Sequence, residues 1–183
     1  MIRNAEIKEK AKKYEVPLST VERDYVQNWM LKYLAGLNLI FKGGTSIRKI
    51  YFEEYRFSDD LDFTLLKETD PETLKDEILN ILESTHEENG IYFENKINLA
   101  ENTNGYEIST YFQLTQRGSN LTKIKLDITK HENEPVLLPT EKRPIIHLYS
   151  DELESEIQAY SLEEIVAEKI RSLFQRTRPR DLY

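Results

Sequence analysis

The chain has 183 residues, no cysteine and a formal net charge of −8 at pH 7. This length is enough for one domain with a substantial core, and the lack of cysteine excludes disulfides and thiolate zinc sites. Because the protein is acidic, any nucleic-acid partner has to be held by local basic patches. The sequence has no long apolar run and no signal-peptide pattern, which predicts a cytoplasmic protein with no membrane partner.

Two helices are predicted before the first strand. A charged helix is expected over residues 6–14, and Ser19 with Glu22 forms a capping-box pattern for an amphipathic helix over residues 21–35. A short apolar strand over residues 39–41 follows. The chain then enters a glycine turn that we expect to open a short helix.

The glycine turn and the strand after it lie in residues 41–63, FKGGTSIRKIYFEEYRFSDDLDF. Gly43 and Gly44 let backbone amides approach a phosphate closely. Asp60 and Asp62 are two residues apart, so on a strand both carboxylates leave the same face. Such a pair is favourable when a hard cation such as Mg²⁺ lies between the two groups. The segment predicts a phosphoryl or nucleotidyl transferase that uses Mg²⁺.

Each half of this motif also has a plainer interpretation. A Gly-Gly pair is often only a tight turn, and an Asp-x-Asp pair is often a solvated strand end. Here Leu61 and Phe63 alternate with the two acids, so the strand reads as buried, where unpaired carboxylates are costly. The combination therefore favours a functional site.

The second half of the chain predicts a helix, a β-meander and a last helix. Asp70 and Pro71 start a helix that ends at Asn89-Gly90. Strands are expected over residues 91–99, 106–115 and 121–129, joined by turn-rich segments as an antiparallel meander. A polar connection follows, in which three prolines discourage regular structure; these are Pro135, Pro139 and Pro144.

After the connection, a short strand is predicted over residues 157–160. Ser161 with Glu164 caps a final helix that runs to about residue 175. The alternation of helices and strands gives an α/β (α+β) fold class.

A third carboxylate lies between apolar residues in the last strand of the meander. Asp127 is an edge-strand acid if taken alone, but beside the Asp-x-Asp strand it would complete a metal site. Lys123 and Lys125 share its strand face by parity. They are therefore expected either to neutralise the carboxylate or to face substrate phosphates.

The final helix places a lysine inside an apolar arc. At about 100° per residue, Lys169 falls among the apolar side chains of the helix; these are Leu162, Ile165, Val166, Ile170 and Leu173. Such a lysine either extends to solvent or meets an anion, such as a triphosphate. The densest basic patch follows, and it is either a solvated helix exit or a site for the acceptor backbone; it comprises Arg176, Arg178 and Arg180.

Three blocks of the sequence resemble a known family. GGTSIRK, RFSDDLDF and EEIVAEKIRSLFQRTRPRDLY are similar to the AbiEii/MenT-like nucleotidyltransferase toxins of type IV abortive-infection toxin–antitoxin systems, and VERDYVQNWML resembles the family's leader helix. The resemblance implies a DNA-polymerase-β-like nucleotidyltransferase core with a mixed sheet flanked by helices. It also implies a role in phage defence and a cognate antitoxin as a partner.

The same resemblance implies roles for particular residues. It assigns the triphosphate cradle to Gly43, Gly44, Thr45 and Ser46. It assigns the metal carboxylates to Asp60 and Asp62, with Asp127 as the third carboxylate of the wider superfamily. It assigns an essential, nucleotide-binding lysine to Lys169 and a late catalytic aspartate to Asp181.

The expected organisation is one nucleotidyltransferase domain over residues 1–183. It comprises a helical leader (1–36), a catalytic core (37–130) and a connection with the final helix (131–183). From the resemblance, we expect the family's C-terminal helical domain to be absent. The expected reaction moves a nucleoside monophosphate from an NTP to an RNA hydroxyl, specifically the tRNA 3′ end. The alternatives are a protein or small-molecule acceptor, such as an aminoglycoside, and an inactive core that binds only nucleotide or antitoxin.

Overall fold

The elements of the fold follow the order that the polar and apolar patterns predict. The computed structural model describes residues 1–115, 121–134 and 136–175. Its helical elements are α1 (Asn4–Lys13), α2 (Leu18–Leu34), α3 (Gly43–Ser46), a π-helical turn (Ile47–Tyr51), α4 (Pro71–Asn89), a 3-10 turn (His131–Asn133) and α5 (Leu162–Gln175). Its strands are β1 (Leu39–Lys42), β2 (Asp60–Leu65), β3 (Tyr92–Phe93), β4 (Asn98–Glu101), β5 (Gly105–Gln113), β6 (Thr122–Thr129), β7 (Glu141–Pro144) and β8 (Glu156–Ala159).

The eight strands of the described residues form one mixed sheet, which confirms the predicted fold class. Their order is β3-β5-β6-β2-β1-β8-β7, and β4 also pairs with β5. Strand β2 is antiparallel to β1 and parallel to β6. Strands β4, β5 and β6 are joined antiparallel, as the predicted meander requires. The parallel pair places two segments that are distant in sequence side by side at the centre of the sheet.

The two faces of β2 have opposite characters. Leu61, Phe63 and Leu65 are buried in the main core, together with apolar residues of α2 and α4. Because successive side chains alternate, Asp60 and Asp62 leave the other face. Helices α2 and α4 therefore cover the apolar face and leave the aspartates on the far side of the sheet.

Helix α5 packs on the aspartate-bearing face of the sheet. Ile165 of α5 belongs to a small buried cluster with Ile40, Ile47 and Tyr160. Ile40 is the register partner of Thr64, which shares the polar face of β2. The final helix is thus placed beside the candidate site.

Two helix ends follow their sequence signals. The Asp70 carboxylate accepts a hydrogen bond from the backbone N–H of Thr73 at 3.0 Å, with a proline at the first helical position, and Gly90 ends α4 at φ +73°. At the start of α5, the backbone N–H of Glu164 donates to the Ser161 hydroxyl at 3.3 Å. Among the described residues, no helix has the length and apolar character needed to cross a membrane.

The start of α2 differs from the prediction. The helix begins at Leu18, directly after Pro17, and has no side-chain capping hydrogen bond. Glu22 accepts a hydrogen bond from the Thr115 hydroxyl instead of capping the helix. The predicted capping box of Ser19 and Glu22 is wrong, because a proline with extended backbone already ends the preceding segment and lets the helix start earlier.

Two strand predictions also need correction. The strand expected over residues 91–99 is two short strands, β3 and β4, which pair with different parts of β5. The connection expected to lack regular structure contains β7, which ends at Pro144. Proline is tolerated there because β7 lies at the edge of the sheet, where no further strand needs a backbone donor.

A buried ion cluster joins α2 to the π-helical turn. The Asp24 carboxylate contacts Arg48 Nε at 3.0 Å and Lys49 Nζ at 2.7 Å, and accepts a hydrogen bond from the Tyr149 hydroxyl at 2.8 Å. Burial lowers the pKa of Lys49 to about 8 despite its carboxylate partner. Burial opposes the charge of Asp24 as well, but the two cations outweigh it and lower the pKa of Asp24.

The Asp24→Asn substitution should reduce the free energy of unfolding by about 3–5 kcal/mol, because two buried cations lose their counter-charge. Glu101→Gln is a matched control, since it removes a carboxylate from the more exposed ion pair with Lys130 and should cost about 0–1 kcal/mol. Urea denaturation followed by tryptophan fluorescence measures both variants. Equal losses from the two substitutions would contradict this account of the cluster.

Candidate active site

The glycine turn is pressed against a carboxylate of the neighbouring strand. Gly43 follows β1 with φ +75°, a conformation that favours glycine. A Cβ at this position would lie 2.7 Å from Cγ of Asp62, so the space for a side chain is already taken. A Cβ at Gly44 would make ordinary contacts at 3.8 Å with Arg56 and Ser58. The close approach therefore requires glycine at position 43, whereas position 44 has room.

The two hydroxyl residues after the glycines hold the turn together. Thr45 donates a hydrogen bond to the backbone carbonyl of Asp60, which ties the turn to the start of β2. Ser46 donates to the carbonyl of Gly43 at 2.8 Å. Both side chains are buried. Since both hydroxyl protons serve the turn itself, a direct contact of Thr45 or Ser46 with phosphate stays a prediction.

The three predicted carboxylates lie on one face of the sheet. Asp62 of β2 is the register partner of Asp127 of β6. Asp60 lies two residues before Asp62 on β2, so its side chain leaves the same face. The pKa of Asp62 is raised to about 7, mainly by burial and also by the neighbouring charges of Asp127 and Asp60, against the opposing effect of Lys42. The Asp62 carboxylate would therefore be stabilised by a bound cation.

Lysines of the sheet supply part of that positive charge. Lys125 Nζ contacts both Oδ2 of Asp127 and Oε2 of Glu107 at 3.0 Å. Burial disfavours this ammonium, but its two carboxylate hydrogen bonds outweigh the burial and raise the pKa of Lys125 to about 12. Lys123 is exposed. Of the two lysines predicted near Asp127, Lys125 is the one that neutralises it.

A further lysine of the site lies outside the sequence motifs that predict it. Lys42, directly before the glycine turn, is the register partner of Asp62 and is buried. Its ammonium pairs with Glu134 and donates to the Thr129 hydroxyl at 3.1 Å. Burial lowers the pKa of Lys42, although nearby carboxylates oppose the shift. The available signal was a charged residue ending an otherwise apolar strand.

The carboxylate set suits a cation that also binds substrate. Oxygen ligands such as Asp60, Asp62 and Asp127 favour Mg²⁺, which proteins usually bind through one or two carboxylates plus substrate phosphates. Within residues 1–115, 121–134 and 136–175, no three His, Asp or Glu side chains are arranged to enclose a metal ion. The residues therefore fit an ion that a nucleotide triphosphate helps to hold.

The apolar arc predicted on α5 does not face the interior as one stripe. Ile165 is buried, but Val166 and Ile170 are 46% and 50% exposed. Lys169 is partly buried, and its Nζ donates a hydrogen bond to the Tyr55 hydroxyl at 3.3 Å. The ammonium thus reaches the segment between the π-helical turn and β2, while its contact with a triphosphate stays a prediction.

Residues 52–59 form the connecting loop between the π-helical turn and β2. Arg56 and Ser58 of this loop lie beside Gly44, as the 3.8 Å distances from a Cβ at that position indicate. A guanidinium and a hydroxyl are donors suited to phosphate. Both residues belong to the sequence RFSDD, in which only the aspartates were predicted to be functional.

Four further predicted site residues lie outside the described part of the chain: Arg176, Arg178, Arg180 and Asp181.

Because the pKa of Asp62 is raised, we predict that Asp62→Asn increases the stability of the folded protein by an amount that depends on pH. Between pH 3.8, its ordinary pKa, and about 7 the native state binds more protons at this group than the unfolded state, so this carboxyl lowers stability as pH rises. The melting temperature of Asp62→Asn should exceed that of the wild type at pH 8 and match it near pH 4. Calorimetry in EDTA measures the difference, with the exposed Asp59→Asn as control. A variant less stable than the wild type at pH 8 would refute the assignment.

The solved structures similar to this chain include a nucleotidyltransferase toxin. MenT4, a nucleotidyltransferase toxin from Mycobacterium tuberculosis H37Rv, is 22% identical with a TM-score of 0.70, over 100% of this chain and 63% of that one. JHP933 from Helicobacter pylori is 20% identical with a TM-score of 0.66, over 89% of this chain and 62% of that one. The chain thus spans less than two thirds of either structure. Both matches confirm the predicted nucleotidyltransferase fold.

The family assignment rests on the sequence of most of the chain. No curated protein sequence matches it closely enough to transfer a description. The sequence model of a family described as "Nucleotidyl transferase AbiEii toxin, Type IV TA system" matches residues 29–183. This region contains the glycine turn, the carboxylates of β2 and β6, and α5. The chain therefore belongs to the AbiEii family, the nucleotidyl transferase toxins of type IV toxin–antitoxin systems.

Proposed function

We propose that this chain transfers a nucleoside monophosphate from an NTP to an acceptor hydroxyl, with Mg²⁺ as cofactor. The observation that carries the proposal is the contact between the glycine turn and Asp62, with Asp60 and Asp127 on the same face. This arrangement offers backbone donors for a triphosphate beside carboxylates for a cation. Family membership supports the same reaction class.

The proposed reaction exchanges one phosphorus–oxygen bond for another. The acceptor oxygen bonds to the α-phosphorus while the bond from that phosphorus to the bridging oxygen of the β-phosphate breaks, and pyrophosphate leaves with the electron pair. Asp127 takes up the proton of the acceptor hydroxyl. Asp60 and Asp62, with help from Asp127, would hold Mg²⁺, which would supply Lewis-acid stabilisation of the phosphate charge.

The groups around the glycine turn are proposed to hold the leaving pyrophosphate. The backbone amides at Gly43 and Gly44 are proposed to donate to the phosphates, because glycine lets the backbone approach a ligand closely. Arg56 lies beside Gly44, and Lys169 is held at Tyr55 of the same connecting loop. Fixed cations at this point offset the charge that develops on the leaving group. The outlying Asp181 is proposed to act with them, as the family resemblance implies.

The acceptor is proposed to approach over β6. The turn lies at the end of β1, and β6 is on the opposite side of β2. Because the nucleophile and the leaving group are in line, the acceptor reaches the α-phosphorus from the side away from the turn. There it meets Asp127, Lys125 and Glu107.

We propose an RNA acceptor, specifically the tRNA 3′ end, with growth arrest as the outcome and a cognate antitoxin as a partner. The support is the family to which the chain belongs. Arg176, Arg178 and Arg180 are proposed to contact the acceptor backbone. A cationic small molecule is the rival acceptor, since the acceptor side carries two carboxylates against one ammonium in a protein of net charge −8.

Incubation with each labelled NTP and Mg²⁺ distinguishes these acceptors. The mixtures contain total tRNA, the bacterial proteome or an aminoglycoside panel, and mass spectrometry locates the added nucleotide. The proposal is supported if the wild type labels tRNA and the Asp62→Asn variant does not. Label on a protein or aminoglycoside assigns the acceptor differently, and nucleotide binding without transfer to any acceptor refutes the enzymatic proposal.

Lys169→Met should weaken Mg-NTP binding by about 1–3 kcal/mol, the scale for losing a hydrogen bond to a charged group. The substitution keeps most of the side-chain volume and removes the ammonium. Lys32→Met is a matched control, because Lys32 pairs with Glu88 far from the turn. Calorimetric titration with Mg-NTP measures both. Unchanged affinity in Lys169→Met would show that this lysine does not contact the nucleotide.

RNA binding should be weak and should fall steeply with salt, because phosphate contacts release counterions. Replacing Arg176, Arg178 and Arg180 together by Gln should make the slope of log K against log salt shallower, by the contribution of about three phosphate contacts. Filter binding of tRNA between 50 and 200 mM salt measures the slope, with Lys8, Lys12 and Lys13 of α1 replaced by Gln as the control. An unchanged slope in the arginine variant would place the acceptor site elsewhere.

A further inference from the structure

We propose that Gln27 of α2 is a positioning residue for the metal-binding face of β2. The inference rests on the proposed function, because it concerns the same carboxylates. Gln27 lies just before the region matched by the AbiEii family, which begins at residue 29. Helix α2 packs on the apolar face of the sheet, so the proposal extends the site to a helix on the side opposite the aspartates.

The side-chain amide of Gln27 holds two successive carbonyls of the connecting loop. Its Nε2 donates to the backbone carbonyl of Ser58 at 3.3 Å and to that of Asp59 at 3.0 Å. The side chain is 0% exposed. Only the NH₂ group of the amide can donate to two carbonyls, which fixes its orientation. Gln27 therefore sets the path of the backbone immediately before Asp60.

The next carbonyl in the chain is held from the other side. The Thr45 hydroxyl of the glycine turn donates to the carbonyl of Asp60. Three consecutive carbonyls, from Ser58 to Asp60, are thus fixed by two side chains. The direction in which a side chain leaves the backbone depends on these peptide planes. Gln27 and Thr45 consequently set the directions in which the side chains of Ser58, beside Gly44, and Asp60 leave the backbone.

Two neighbours of Gln27 on α2 hold the remainder of the loop. Arg23 forms an ion pair with Asp59 and donates from Nε to the carbonyl of Lys123 at 2.9 Å, which links the loop to β6. Asp24 holds Arg48, whose guanidinium donates to the carbonyls of Glu53, at 2.8 Å, and Tyr55. One helix face therefore controls the loop from its start to its end.

Packing alone does not account for this amide. The Oε1 atom of Gln27 is buried and has no hydrogen-bond partner among the described residues. Burying an unpaired amide oxygen is unfavourable compared with an apolar side chain of the same length. A residue selected only to fill space would be Met or Leu. The amide is explained by the two donors that it directs at the loop.

Gln27→Met and Asn28→Leu form a matched pair of test variants. Asn28 is equally buried, also has an unpartnered amide oxygen, and donates to the carbonyl of Ile146 at 3.1 Å, away from the connecting loop. The measurements are Mn²⁺ affinity by electron paramagnetic resonance, with and without an NTP analogue that cannot be cleaved between its α- and β-phosphates, kcat and KM for NTP, and melting temperature. Mn²⁺ is the probe because it is a paramagnetic substitute for Mg²⁺.

Gln27→Met should weaken Mn²⁺ binding about 10-fold, the lower end for lost support of a metal ligand. Its kcat should fall about 100-fold, as for a misplaced reacting group, with a KM for NTP within about threefold of the wild type. Asn28→Leu should leave the Mn²⁺ affinity, kcat and KM unchanged, with a melting temperature similar to that of Gln27→Met. Arg23→Met, at the rim of the helix, serves if Gln27→Met does not fold, with a smaller loss of Mn²⁺ affinity.

Two outcomes overturn the inference: a Gln27→Met variant, or its Arg23→Met substitute, that binds Mn²⁺ as tightly as Asn28→Leu, and a wild type that binds no Mn²⁺. Failure of the proposed function gives a different pattern. In that case the wild type binds Mn²⁺, Gln27→Met weakens the binding, and neither protein transfers a nucleotide. The positioning role of Gln27 would then stand without the transferase.

Discussion

The contact between the backbone of Gly43 and the carboxylate of Asp62 is the constraint on which the site depends. Antiparallel pairing of β1 and β2 places the end of one strand against this carboxylate, and the left-handed backbone of Gly43 leaves room for nothing larger. The same closeness removes water from Asp62 and raises its pKa. One backbone geometry thus brings the backbone of the glycine turn and an incompletely balanced negative charge into the same small volume.

Charge balance on the polar face comes from lysines on strands adjacent to β2. Lys125 neutralises Asp127, whereas the ammonium of Lys42 is paired mainly with Glu134 behind the carboxylates. Arg171 of α5 also contacts Glu134, at 3.4 Å, so the helix that carries Lys169 is attached to this network. The sheet and the final helix are therefore coupled electrostatically as well as by apolar packing. A cation entering the site would join an arrangement that is already partly compensated.

Local patterns in the sequence were sufficient for much of this site. The glycine turn, the alternation along β2 and the caps of α4 depend on neighbouring residues, and the parity of Asp127 placed it on the correct face. Contacts between distant residues left no such pattern. Nothing local indicates that Gln27 reaches the loop before β2, or that Lys42 pairs with Glu134. The sequence did not predict strand β7, because its Pro144 is compatible with a strand only at a sheet edge.

The parallel pairing of β2 with β6 has a consequence for the order of folding. Asp62, Asp127 and Lys169 come from three well-separated parts of the sequence, and the aspartates become neighbours only when these two strands pair. Pairing of distant segments is slow, because the entropy of closing the intervening chain is lost before the contacts form. During synthesis the glycine turn and β2 leave the ribosome first. The nascent chain therefore has no assembled site until β6 and α5 have also emerged and packed.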